Sequence, residues 1–87
     1  MANHDWELRI HHSVCKVVYP LPKQWALGIR NAIVGLRQNP YRSDSRKILD
    51  LENAYEVLLD NYRIVYQVDE EQRQIKIAMI NLDFVRD

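Results

Sequence analysis

Glycine, cysteine and long apolar runs are scarce in this chain of 87 residues. Its single cysteine, Cys15, has no partner for an internal disulfide. Nothing approaches the ~18 consecutive apolar residues of a membrane span or the apolar region of a secretory signal, so a reducing cytoplasm and no membrane are expected. The two glycines, Gly28 and Gly35, both sit inside a helical pattern. A glycine-rich phosphate loop is therefore missing, which excludes nucleotide binding of that kind. Repeats and low-complexity tracts are absent as well. An excess of charge is also lacking: 12 Lys+Arg balance 12 Asp+Glu, which removes the bulk-charge argument for a generic nucleic-acid coat. The distribution is uneven, with six basic and three acidic side chains in residues 1–44 (+3) and six basic and nine acidic in residues 45–87 (−3). What remains, 47% apolar and 28% charged, fits one small domain over residues 1–87 with a single core.

Trp6-Glu7-Leu8-Arg9-Ile10 alternates apolar and polar with period two and predicts a first strand. From Ser13, a candidate cap, Val14, Val17, Val18 and Leu21 have helical spacing, and Pro20 and Pro22 break the chain near Leu21. Trp25, Ile29, Ala32, Ile33 and Leu36 mark one face of a longer helix that starts after Pro22 and ends before Asn39-Pro40. A polar loop from Pro40 to Ser45 follows. Four β-patterned runs come next: Lys47–Leu51, Tyr55–Leu59, Tyr62–Val68 and Ile75–Leu82. Asp60-Asn61 suits a two-residue turn, which places Leu59 opposite Tyr62, Leu58 opposite Arg63, Val57 opposite Ile64 and Glu56 opposite Val65. Asp69–Gln72 supplies the next turn.

His11, His12 and Cys15 offer donor atoms at i, i+1 and i+4, but no second pair of soft ligands completes a tetrahedral site, and no third group orients a Cys–His nucleophile. No metal and no cofactor are expected.

The order of strand, short helix, Leu21-Pro22 break, longer helix ending at Asn39-Pro40, Lys47-Ile48-Leu49 and then the run Asp60-Asn61-Tyr62-Arg63-Ile64-Val65-Tyr66-Gln67-Val68 resembles the RelE/ParE superfamily of bacterial toxin–antitoxin toxins. The resemblance covers nearly the whole chain. It implies an α+β fold, with an N-terminal strand, two helices and an antiparallel meander forming a curved sheet packed against the helices. It also implies a toxin held inactive by a cognate antitoxin. RelE-like members cut mRNA on the ribosome, whereas ParE-like members inhibit DNA gyrase, and the scaffold alone does not choose between them.

Arg63 matches the family's central arginine, whose fork of donors suits a phosphate in a metal-free cleavage; the plain alternative is a diagonal cross-strand pair with Glu56. Where family nucleases carry basic residues on the preceding strand, this chain has Glu56 and Leu58. Glu56 fits there only as a general base. Asp83 stands about where the family has a C-terminal arginine, and Phe84 lacks a hydroxyl for proton transfer. Arg46, Lys47 and Arg86 are candidate contacts to the RNA backbone. Tyr55, Tyr62 and Tyr66 share a face that would either stack on bases or pack into the core. Lys23, Arg30 and Arg37 recur every seven residues with Leu27 and Val34 between them, a strip on which an acidic amphipathic antitoxin segment would gain both burial and charge complementarity. Three readings follow: a ribosome-dependent mRNA interferase, a non-hydrolytic gyrase inhibitor, and a decayed toxin that only binds its antitoxin.

Overall fold

The alternating stretch after Trp6 forms strand β1 over Glu7–Ile10, and the chain turns at once into helix α1, His12–Val18. The computed structural model describes residues 6–59 and 62–81. The cap of α1 differs from expectation. His11 is the N-cap, its Nδ1 accepting from the Ser13 amide at 3.1 Å and sharing a 2.8 Å hydrogen bond with the Ser13 hydroxyl. An imidazole nitrogen thus replaces the hydroxyl as acceptor, because the chain leaves β1 too abruptly for Ser13 to lie outside the first turn. Tyr19 closes α1, its N–H donating to the Cys15 carbonyl at 2.9 Å. Helix α2, Lys23–Gln38, follows Pro22, whose carbonyl accepts from the Trp25 and Ala26 amides at 3.0 Å each. It buries Ile29, Ala32, Ile33 and Leu36, the predicted stripe.

Four further strands, β2 (Ser45–Lys47), β3 (Ala54–Leu59), β4 (Tyr62–Asp69) and β5 (Gln74–Asn81), complete a five-stranded sheet in the order β1-β5-β4-β3-β2. The meander is antiparallel, but β1 adds to β5 in parallel, so the sheet is mixed. Strand β2 ends where the sequence predicts it to begin. Residues 48–53 turn instead: the Ile48 amide donates to the Ala54 carbonyl at 2.9 Å, the Leu51 amide to the Ile48 carbonyl at 3.2 Å, and Asn53 takes a left-handed φ of 59°. Since β3 starts at Ala54, residues beyond Ile48 have no strand to pair with, and Leu49 is left 89% exposed despite its β-like context. The β3–β4 register agrees with the two-residue turn, while residues 60 and 61 themselves lie outside the described residues.

The β4–β5 ladder has one register shift. Val65 pairs with Met79 but Tyr66 pairs with Ile77, so Ala78 is an extra residue in β5. Such a bulge switches the strand's facing. Ile75, Ile77 and Ile80 all point into the core, and Met79 points out.

The helices cover one face of the sheet, where Val14, Ile29, Ile33 and Leu36 meet Val57, Tyr62, Ile64, Tyr66, Val68, Ile75 and Ile77. Tyr62 and Tyr66 are therefore core residues and do not stack on a ligand. Tyr66 donates its hydroxyl proton to the Pro40 carbonyl at 2.6 Å and lies 2.7 Å from Ser45 Oγ. Burial, more than any neighbour, raises its pKa above the ordinary phenol value, so it remains a neutral donor. Tyr55 stacks on Tyr66 at 5.9 Å, Tyr41 meets Tyr55 edge-on at 5.4 Å, and the Tyr41 hydroxyl donates to Glu70. This aromatic row ties the loop after α2 to the sheet. Tyr66→Phe is expected to destabilise the fold by about 1–3 kcal/mol, because the Pro40 carbonyl loses a buried donor; urea unfolding checks the size.

Candidate functional site on the open face of the sheet

The face of the sheet turned away from the helices is set by strand alternation. Residues paired directly across neighbouring strands point the same way. One row therefore runs Arg46, Glu56, Val65, Met79, and the next runs Leu58, Arg63, Asn81. Within these rows the Arg63 Nη1 lies 3.2 Å from Glu56 Oε1, and the Arg46 Nη2 lies 3.7 Å from Glu56 Oε2. The Glu56 side chain is 15% exposed, against 33% for Arg63 and 68% for Arg46.

The diagonal pair, given above as the plain alternative to a phosphate-binding Arg63, thus forms, and Arg63 is paired with a carboxylate. The carboxylate is nevertheless shared between two guanidinium groups, leaving the trio with a formal charge of +1. The Arg63 Nε–H is enclosed without a hydrogen-bond partner. A buried donor left in this way costs about 1–3 kcal/mol. Chemically the trio offers a proton acceptor, Glu56, flanked by two cations suited to a phosphate.

The other candidates divide by the face they occupy. Lys47, one residue after Arg46, falls on the opposite side, with Nζ 5.4 Å from the centre of the Tyr55 ring, so it does not join Arg63. Arg86, with Asp83 and Phe84, lies outside the described residues. On α2, Lys23 and Arg30 are exposed, and Leu27 and Val34 are 53% and 43% exposed, an open strip as expected. Arg37 departs from it. Its Nε donates to the Trp6 carbonyl at 3.0 Å while its own carbonyl accepts from the Trp6 amide at 3.0 Å. The last turn of α2 abuts the start of β1, so this arginine ties two elements together and is a structural clamp within the fold.

Sequence reasoning missed the hollow beside that strip. A cavity of about 390 Å³ is lined by Leu8, Ile10, Val14, Val18, Ile33 and Val34, among others, between β1 and the two helices. A signal was present: no Asp or Glu occurs from Leu8 to Ser43, although Arg9, Lys16, Lys23, Arg30, Arg37 and Arg42 do. Cys15 is exposed, and His11 stacks on His12 with centroids 4.6 Å apart. Among the described residues no group of three His, Cys, Asp or Glu is placed to hold a metal ion, and no helix is long and apolar enough to cross a membrane.

Solved structures share this architecture. The isolated RelE toxin of E. coli superposes with a TM-score of 0.78 at 19% identity, covering 94% of this chain and 87% of that one. RelE in the archaeal RelE–RelB complex of Pyrococcus horikoshii gives 0.76 at 21%, covering 91% and 96%. The intact E. coli RelBE toxin–antitoxin complex gives 0.75 at 20%, covering 87% and 94%. At such identities the likeness shows the fold alone. No match is found among curated proteins. The family described as the ParE toxin of type II toxin–antitoxin systems, parDE, matches residues 2–81. With nearly the whole chain covered by that family and the RelE architecture in place, the chain belongs to the RelE/ParE toxins of type II toxin–antitoxin systems.

Proposed function

We propose that this toxin is a ribosome-dependent mRNA endoribonuclease, with Arg46, Glu56 and Arg63 as its site. The observation that carries the reading is the convergence of two guanidinium groups on one carboxylate on the open face. Glu56 takes the proton of the ribose 2′-hydroxyl and the 2′-oxygen attacks the adjacent phosphorus. The bond from phosphorus to the 5′-oxygen then breaks, and that oxygen takes a proton from solvent. The products are a 2′,3′-cyclic phosphate and a 5′-hydroxyl end. Arg63 and Arg46 stabilise the charge that builds on the phosphate, and no step requires a metal or cofactor. The partners are the ribosome, its mRNA and a cognate antitoxin. Induction of the protein without its antitoxin, with mapping of mRNA 5′ ends, is expected to give codon-phased cuts on translated messages only.

One observation favours a second reading. The Glu56 carboxylate already holds Arg63, and Leu58 occupies the neighbouring place where a cation would assist. A face of this kind suits docking, as in a non-hydrolytic inhibitor of DNA gyrase. Intact messages with gyrase-linked DNA breaks would select that reading, and absence of any growth defect would leave a decayed toxin that only binds its antitoxin.

The antitoxin surface is the α2 strip of Lys23, Leu27, Arg30 and Val34 together with the adjoining hollow, where an acidic amphipathic segment meets a helix layer without carboxylates. Val34→Glu is expected to weaken antitoxin binding by at least about ten-fold. Titration calorimetry measures the loss, and mRNA cleavage by the free toxin is expected to stay unchanged.

A further inference from the structure

The open face carries more than the trio. Two residues along β4 from Arg63, Val65 is buried, and opposite it Met79 is 46% exposed. Half-buried Leu58 stands beside Arg63 on β3. Two residues further along β4, Gln67 is paired with exposed Lys76 on β5. Cation, apolar surface and cation therefore succeed one another along the strands. At the rise of an extended strand, the Arg63 and Lys76 rows are about 13 Å apart, the distance over which an extended RNA strand passes from one phosphate to the next but one.

Met79 reaches this face only because of the bulge at Ala78. With regular alternation after Ile75 and Ile77, it would point into the core. A large flexible thioether is thereby turned outward onto a face that otherwise carries Arg9, Lys76, Arg46 and Arg63 against Glu7 and Glu56. Lys76 stands at the rim of a hollow that Glu52, Asp69 and Glu71 also line, and these carboxylates would repel a further phosphate. The positive track is bounded at that end.

We infer that Met79, resting on buried Val65 and with Leu58 alongside, forms a seat for one nucleobase of single-stranded RNA, and that Lys76 holds the phosphate beyond it. This rests on the nuclease reading and names how its substrate is held. Every base presents a π face to such a seat, and methionine sulfur packs well against aromatic rings, so binding here tolerates any base. Lys76 acts as a point charge and adds affinity without reading sequence.

The test uses ribosomes programmed with a message that carries 2-aminopurine in the A-site codon. A 2′-O-methyl ribose at the cleavage position blocks attack. Binding of the wild-type toxin is expected to change the 2-aminopurine fluorescence. Met79→Ser is expected to remove that change and to lower kcat/KM on an unmodified message by about ten-fold, and Met79→Leu to restore both to within about two-fold. Lys76→Ala is expected to leave the fluorescence change intact while reducing the slope of log affinity against log salt by about one. Wild-type cleavage with a fluorescence change and rate that Met79→Ser does not alter overturns this inference alone. Wild-type protein that cuts no translated message overturns the nuclease reading, and the base seat with it.

Discussion

Arg63→Ala is expected to lower mRNA cleavage by at least about 100-fold, the size of effect seen when one charge-stabilising donor is removed from a transition state, while antitoxin affinity stays within about two-fold. The separation follows from position. Arg63 lies on the open face of β4, whereas the strip proposed to take the antitoxin is on α2, on the other side of the core. Equal loss of both properties would make Arg63 a structural residue. Glu56→Gln sharpens the result, because it keeps the shape and removes the charge. As a general base Glu56 contributes about 100- to 10,000-fold, so the variant should be nearly inactive although its arginines are released. As a mere counter-charge, its neutralisation would free Arg63 and Arg46 for phosphate and increase RNA binding. The two outcomes have opposite signs, and single-turnover cleavage on programmed ribosomes reads them directly.

The second large effect concerns folding. Leu36 is fully buried in the last turns of α2 and packs into the one core that the helices and sheet share. Leu36→Ala removes its side-chain contacts and leaves a cavity, at an expected cost of about 2–5 kcal/mol. A domain of this length has a total stability of order 5 kcal/mol. The free variant should therefore keep only about 0–3 kcal/mol of stability and unfold at a much lower urea concentration than the wild type at 25 °C. Because an antitoxin that binds only the folded chain adds RT ln(1 + [L]/Kd), about 2.7 kcal/mol at a hundred-fold excess over Kd, the complex should recover much of the native signal. Failure of any partner to rescue the variant would show that the surface it occupies is not formed by the folded helices.

Where local pattern and tertiary demand coincide, the chain is readable. Ile29, Ala32, Ile33 and Leu36 announce the buried stripe of α2, and the prolines at 20, 22 and 40 bracket the helices. The β3–β4 register agrees with the one that spacing predicts, so a diagonal contact of Glu56 with Arg63 was among the readings open from sequence. Lys47–Leu51 failed for the converse reason. Its leucines look like strand residues, but a strand needs a partner, and β3 begins only at Ala54. For Arg37, heptad spacing places the side chain on one side of the helix without saying that the start of β1 lies within its reach.

By itself the sequence determined the two helices, the order of the elements, the single core and the β3–β4 register that sets Glu56 diagonal to Arg63, since each depends on neighbours a few residues apart. Three things needed the folded chain: the parallel addition of β1 to β5, the arrival of Arg46 on the other side of Glu56, and the bulge that turns Met79 outward. Each joins segments distant in sequence or depends on a register that one inserted residue inverts, and no local pattern encodes such a choice.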